Sequence, residues 1–318
     1  MIPVRTKMTI TEVCNLLRAN DNFEILTHAS PDGDTLGCGH ALCLALQQIG
    51  KNARVICESV PEKFAYLKKG IKQQEFIGEY IVSTDIAADS LLGEHGKKYE
   101  GKIDLCIDHH KSNSVSAKNK YVDPDSAAAC EIIYEVVKGL GAEISTDIAN
   151  CLYTGTATDT GCFKFSNTTA KTHRIAADLI EAGCDFNGIN KAMFDTKTKA
   201  RMALEHALYD TMEYFSGGKG AVICVSLEMM KKLNITSDDI EGVEAIPRAI
   251  EGVEMGITVK EKEGGFCKIS VRTNGELDAS RFCAEFGGGG HFAAAGCSID
   301  GDCQKVKKTI IKAAEEFI

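Results

Sequence analysis

Residues able to hold metal and move protons stand together at two places in this chain, Asp108-His109-His110 and His28-Ala29-Ser30-Pro31-Asp32-Gly33-Asp34. Each follows a short apolar run, Ile103-Asp104-Leu105-Cys106-Ile107 in the first case and Phe23-Glu24-Ile25-Leu26-Thr27 in the second. Such runs read as buried parallel strands, and in open α/β sheets ligands gather just past the carboxyl ends of the strands. Two more aspartates have a related setting: Asp85 follows Glu79-Tyr80-Ile81-Val82-Ser83-Thr84, and Asp159 stands in Thr158-Asp159-Thr160-Gly161. Together these segments offer enough imidazole nitrogens and carboxylate oxygens for two divalent cations. Paired cations point to phosphoester hydrolysis, because they activate a water and clamp the attacking and leaving oxygens of an in-line displacement.

Taken singly, each segment has a plainer reading. Pro31-Asp32-Gly33-Asp34 is also ordinary turn chemistry ahead of a helix, with Asp34 as a cap near its start. As a metal segment, Gly33 permits a tight path along which the flanking carboxylates converge with His28. The Asp108 segment also reads as an exposed strand end, its aspartate satisfying loop amides, and a lone Asp85 or Asp159 is usually a cap or a solvated side chain. Several such segments in one chain favour the metal reading. His40, His95, His173 and His206 have no carboxylate companions in a comparable setting and carry no chemical role. The segment 158–169 alternates Phe163 and Phe165 with small polar side chains, which suits a rigid loop.

Residues 23 to about 185 repeat apolar run, loop and amphipathic stretch, the punctuation of βαβ units. Helices are expected over 36–49, 126–140, 146–156 and 169–182. The fold class is therefore α/β: an amino-terminal, mostly parallel sheet with flanking helices over 1–185, a helical linker over 186–215, and a smaller carboxy-terminal α/β unit over 216–318. That last unit offers strands over 221–225, 253–260 and 266–272, a helix over 278–286, a glycine run, and a closing helix over 304–317.

The 318 residues are 44% hydrophobic and 25% charged, the balance of a soluble protein with room for two cores. A formal charge of −9 argues against coating long nucleic acid, whose affinity comes from many lysine and arginine contacts. It leaves small anions open, since bound cations offset ligating carboxylates. No apolar run approaches the roughly 20 residues of a membrane span, and Met1-Ile2-Pro3-Val4-Arg5 lacks the apolar core of a signal peptide, so a cytoplasmic location is expected. The 14 cysteines fall one at a time in apolar segments, where reduced thiols pack as small hydrophobes. With no Cys-x-x-Cys pair a zinc ribbon is not expected, and Cys38 and Cys43 read as two faces of one helix.

With its motifs in this order, the chain resembles the DHH phosphoesterase superfamily over nearly its whole length, and within it the bacterial oligoribonucleases that also act as 3′-phosphoadenosine 5′-phosphate phosphatases. The matching stretches are residues 28–34, Asp85, Ile107-Asp108-His109-His110-Lys111-Ser112-Asn113, residues 159–169, and Gly287-Gly288-Gly289-Gly290-His291-Phe292-Ala293-Ala294-Ala295-Gly296. The resemblance implies that His28 and Asp32 hold one metal, that Asp34, His109 and Asp159 hold the other, and that Asp85 bridges both. It further implies that Asp108 orients an imidazole and that His110 faces the substrate, binding a phosphate oxygen or giving a proton to the leaving oxygen. Mixed imidazole and carboxylate ligation suits Mn²⁺ first, with Mg²⁺ or Co²⁺ as alternatives.

The glycine run before His291 reads either as a flexible connector or as a turn whose bare amides form a nest for phosphate. The resemblance assigns substrate binding to Gly288, Gly289, Gly290 and His291, in a carboxy-terminal domain that grips the substrate's far end. Arg272 and Arg248 match basic positions of the family, where forked donors suit phosphate, although surface arginines also serve as salt-bridge partners. Pro247 and Asn274 depart from the family pattern.

The expected substrates are short oligoribonucleotides, cut to 5′-mononucleotides, and 3′-phosphoadenosine 5′-phosphate, cut to adenosine 5′-phosphate and phosphate. Rival readings are a linear or cyclic dinucleotide phosphodiesterase, a single-strand DNA exonuclease, and a non-catalytic nucleotide sensor. A sensor would be expected to have degraded ligands, and all six are present. The partners expected are thus short RNA and small nucleotides, with no long duplex and no membrane, and a homodimer is left open.

Overall fold

Apolar runs bounded by turns pair into a first sheet, as their β-branched content favours. The structure, a computed structural model, describes residues 8–318, so the Met1 to Arg5 segment weighed above lies outside the described residues. Strands β1 (Phe23–Leu26), β2 (Ala53–Ile56), β3 (Tyr80–Thr84), β4 (Ile103–Asp108) and β5 (Ala117–Val122) lie in the order β2-β1-β3-β4-β5, every pair parallel. Helices α1 (Ile10–Ala19), α2 (Gly33–Gln48), α3 (Gly96–Tyr99), α4 (Ala129–Leu140), α5 (Thr146–Asp159), α6 (Ala170–Glu181) and α7 (Phe186–Asn190) complete this unit, which ends at Thr196.

Both faces of the sheet are covered, which is why β1, β3 and β4 read as continuous apolar runs. Phe23, Ile25, Val82, Leu105 and Ile107 pack with α1, α2, α4 and α5 on one side, while Leu26, Ile81, Ile103 and Cys106 join Tyr99 and Val115 on the other. The expected amphipathic helix at 36–49 is corrected here. Gly33 to Leu46 of α2 are all buried, because α2 packs against β1, β2, α4 and α5 at once. Cys38 and Cys43 are both fully buried and lie on two faces of α2, Cys38 Sγ against Cys130 Sγ at 3.5 Å and Cys43 Sγ against the Ala53 carbonyl at 3.3 Å.

Helices α2 and α5 touch backbone to backbone through glycine. A Cβ on Gly37 would lie 2.4 Å from the Cys151 carbonyl oxygen, closer than any side chain tolerates. Gly37→Ala is accordingly expected to cost about 1–3 kcal/mol, the usual range for overpacking, read as a lowered urea midpoint with unchanged slope. A midpoint equal to wild type would mean that the helices separate without penalty.

The second unit spans Lys197–Ile318. It contains α8 (Lys199–Asp210), β6 (Glu213–Phe215), β7 (Gly220–Val225), α9 (Leu227–Lys232), α10 (Ser237–Ile240), α11 (Ala245–Arg248), β8 (Met255–Lys262), β9 (Phe266–Thr273), α12 (Ala279–Ala284), β10 (Gly289–His291), β11 (Ala294–Asp300) and α13 (Cys303–Phe317). Its sheet runs β10-β11-β9-β8-β7-β6, antiparallel except for β7 with β8. Val222, Ile257, Ile269 and Val271 face α12 and α13, whereas Ile223 and Val225 face Leu204, Leu208 and Val243. Among the described residues no helix is long and apolar enough to cross a membrane.

Candidate metal centre

β1, β3 and β4 are neighbours in the sheet, so the residues just past their carboxyl ends, His28, Asp85 and His109, meet at one rim. Asp85 makes its turn at φ +55°, a left-handed conformation that aspartate visits more readily than most residues. Its N–H donates to the Ile107 carbonyl at 3.0 Å, which fixes the turn to β4.

Asp32 is the N-cap of α2, its Oδ1 accepting from the amides of Asp34 at 3.0 Å and Thr35 at 3.1 Å. This corrects the expectation that a cap here would be Asp34. The same Oδ1 lies 3.7 Å from His28 Nε2. Asp34, fully buried, turns instead to the start of α4, accepting from the amides of Ala129 at 2.6 Å and Cys130 at 2.9 Å. The N-cap of α4 is Ala128, which offers no capping side chain. Asp34 thus supplies from far away the acceptor and negative charge that a helix start lacks.

Gly33 adopts no positive φ, so a special backbone path is not its reason for being glycine. A Cβ there would lie 2.4 Å from Thr158 Oγ1. Glycine lets the end of α5, with Asp159, close on the start of α2. After Asp159 the chain makes a left-handed turn through Gly161, Cys162 and Phe163, at φ +56°, +58° and +63°. Asn167 Nδ2 ties that loop back to the carbonyls of Asp159 and Ala127, at 3.1 and 3.0 Å.

His109 faces three carboxylates at once. Its Nε2 lies 3.3 Å from Asp159 Oδ2, 3.6 Å from Asp85 Oδ1 and 3.9 Å from Asp34 Oδ2. Its Nδ1 lies 3.2 Å from the Ser126 carbonyl, a contact that places the ring proton on Nδ1 and leaves Nε2 as a lone-pair donor. Donor atoms of Asp34, His109 and Asp159 converge within 4.8 Å of one another, as do those of His28, Asp32 and Asp85. All six expected ligands therefore meet at one place.

Asp108, fully buried, does not orient the His109 ring. Its Oδ1 accepts from the His109 amide and from His110 Nδ1, both at 2.8 Å, and its Oδ2 accepts from Asn113 Nδ2 at 2.7 Å. Burial alone would raise the Asp108 carboxyl, but His110 and Asn113 outweigh it and hold it below the usual range. The Asp108 bond in turn raises His110 above an ordinary imidazole. His110 is 44% exposed and lines a pocket of about 330 Å³ bordered by Ala29, Ser30, Ser90 and Leu91. Sequence reasoning had no means to single out the Ser126 carbonyl or the α4 amides, since backbone groups leave no residue signature.

The electrostatics show what the cluster lacks. Burial, then the nearby charges of Asp34, Asp32 and Asp159, push Asp85 well above the carboxylate range. Burial and the charges of Asp34 and Asp32 push Asp159 up to about 9. Asp85 Oδ1 and His109 Nε2 are buried with no hydrogen-bond partner. Orphaned donors among crowded carboxylates are the signature of a cation site, and imidazole with carboxylate fits a divalent ion.

In the second unit the glycine run is not the turn expected of a nest. Gly289 to His291 form edge strand β10, hairpin-paired with β11, and Gly288 sits half-buried just before it. Directly paired residues project to one face of a sheet. His291 pairs with Ala294, Ala294 with Arg272, and Arg272 with Gly256. A Cβ on Gly256 would meet Arg248 Cβ at 3.2 Å, so Arg248 lies over that same row. His291, Arg272 and Arg248 thus line one face with only small residues between them. Asn274 Nδ2 holds the carbonyls of Arg248 and Val253 at 3.2 and 2.8 Å, and Pro247 is buried in α11.

Comparison with known proteins matches residues 22–156 to the DHH family, N-terminal domain, and residues 217–318 to the DHHA1 domain. The chain thus carries a DHH domain followed by a DHHA1 domain. This DHH protein is 29% identical over 311 residues to the bifunctional oligoribonuclease and PAP phosphatase NrnA of Thermus thermophilus, covering 96% of this chain and 93% of the relative. The crystal structure of an exopolyphosphatase-related protein from Bacteroides fragilis superposes with a TM-score of 0.86 at 25% identity, covering 97% of this chain and 96% of that one. Exonuclease RecJ bound to manganese shares the fold at a TM-score of 0.52 and 13% identity, covering 100% of this DHH chain and 97% of that one.

Proposed function

We propose that this chain is a metal-dependent phosphoesterase that cuts short oligoribonucleotides to 5′-mononucleotides and 3′-phosphoadenosine 5′-phosphate to adenosine 5′-phosphate and phosphate. The observation that carries this reading is the convergence of six imidazole and carboxylate donors at one strand rim. The name of the Thermus thermophilus relative supports the substrate class.

His28 and Asp32 would hold one cation, Asp34, His109 and Asp159 the other, with Asp85 between them. Manganese is our choice for both, on the mixed donor set. Bound there, two divalent cations supply activated solvent and positive charge against the phosphoryl oxygens. Asp108 fixes the ring of His110 through Nδ1, which leaves Nε2 free to bind a phosphate oxygen or to protonate the leaving oxygen. Arg272, His291 and Arg248, with the amides around Gly288, Gly289 and Gly290, hold a substrate phosphate in the second unit. A cytoplasmic location accords with the 14 cysteines, all of which are free thiols.

The test is turnover of the full chain with Mn²⁺ on dinucleotides, longer oligomers, cyclic dinucleotides and the bisphosphate. Release of mononucleotide and phosphate from the first and last supports the reading, whereas binding without turnover identifies a sensor. His291→Ala is expected to raise KM about tenfold or more, as loss of one charge-assisted phosphate contact of about 1.5–3 kcal/mol implies. Its manganese content should be that of wild type, measured by metal analysis after gel filtration. Loss of manganese in that variant would contradict the division of labour between the units.

A further inference from the structure

Asp34 is two-faced. Its Oδ2 looks toward His109 Nε2 at 3.9 Å, while its Oδ1 lies 3.7 Å from Cys38 Sγ. Cys38 Sγ in turn lies 3.5 Å from Cys130 Sγ, which is 3.6 Å from the Asp34 carbonyl oxygen. All three side chains are fully buried, and their donor atoms lie within 4.8 Å of one another. With metal–sulfur bonds of about 2.3 Å and metal–oxygen bonds of about 2.0–2.2 Å, tetrahedral angles separate ligands by roughly 3.5–3.8 Å. The two edges that meet at Cys38 Sγ, 3.7 Å to Asp34 Oδ1 and 3.5 Å to Cys130 Sγ, match that figure. Cys130 Sγ packs directly on the glycine backbones of α2 and α5, where a Cβ on Gly37 or Gly155 would come within 2.9 or 2.3 Å of it.

We propose that Cys38, Cys130 and Asp34 form a site for a thiophilic divalent cation, Zn²⁺ or Cd²⁺, next to the oxygen and nitrogen centre and sharing Asp34 with it. Sulfur ligands select soft ions, and the manganese expected next door prefers oxygen and imidazole. On binding, the two Sγ–H protons pass to solvent and both sulfurs bond the ion. Asp34 Oδ1 is drawn to the ion, and the carboxylate can no longer serve His109 and Asp159 through Oδ2 in the same way. Zinc or cadmium therefore inhibits. The inhibition rests on the proposed metal-dependent hydrolysis, but the binding does not.

The experiment adds Cd²⁺ to the reduced, manganese-loaded full chain and follows the ultraviolet thiolate-to-cadmium charge-transfer band, with hydrolysis measured in parallel under Zn²⁺. Cys38→Ala and Cys38→Ser are compared with wild type, the serine variant preserving the volume of the packed helix. The expected result is a band in wild type that is reduced in both variants. In both, the zinc concentration for half-inhibition rises at least about tenfold, the lower bound of what even an outer-shell partner contributes to metal affinity. Each variant's zinc inhibition is read relative to its own activity before zinc is added. A wild-type spectrum without the band, or equal bands and equal zinc sensitivity in all three chains, overturns the site. A cadmium band that depends on Cys38 in a chain that hydrolyses nothing with Mn²⁺ supports the site and refutes the phosphoesterase reading.

Discussion

Asp85→Asn is expected to lower turnover on the order of 10³-fold or more, because metal-borne charge stabilisation is worth several kcal/mol and about 1.4 kcal/mol is a decade in rate. Asp85 lies within ligand distance of both donor groups: its Oδ1 is 3.6 Å from His109 Nε2, and it converges with His28 and Asp32. The substitution keeps shape and removes charge. It should also stabilise the metal-free protein, since Asp85 is buried among Asp34, Asp32 and Asp159 and like charges are relieved. In chelator its Tm is expected to rise by roughly 2–4 °C, the shift that about 1 kcal/mol produces in a domain of this size. Activity and stability then move in opposite directions, a result that simple misfolding does not give. Near-normal turnover would refute the bridging role, and a fall in chelated Tm would mean that Asp85 serves the fold.

Asp108→Asn is the second large effect. The side chain touches no substrate-facing space, yet it receives His110 Nδ1, the His109 amide and Asn113 Nδ2 in one buried carboxylate. An amide in its place must point its NH₂ at one of those donors. The His110 ring then loses its fixed tautomer and its raised proton affinity. A drop in kcat of about 10²–10⁴, the usual span for losing general acid–base help, is expected with KM within a few-fold of wild type. Steady-state kinetics over a dinucleotide series check this. A rise in KM at constant kcat would mean that Asp108 organises binding instead.

How far the site was legible follows from which forces leave a mark in local sequence. Strands β1, β3 and β4 are buried on both faces, so their apolar runs could be read directly, and His28, Asp85 and His109 followed as residues at strand ends. Strand β5 carries no such apolar signal because it is an edge strand whose sequence, Ala-Lys-Asn-Lys-Tyr-Val, has the polar residues that protect an open edge. Strand β10 was hidden by glycine, which has no strand preference of its own and here takes its conformation from pairing with β11. The swap between Asp32 and Asp34 was equally invisible. Which carboxylate caps α2 is decided by the bare start of α4, 95 residues further on. Tertiary contacts of that kind leave local propensity unchanged.

The central claim is that six side chains hold a pair of cations, and anomalous scattering from crystals grown with Mn²⁺ tests it most directly. Two peaks per chain are predicted, one among His28, Asp32 and Asp85, the other among Asp34, His109 and Asp159, with Asp85 reaching both. A single peak, or manganese bound away from these residues, would contradict the account.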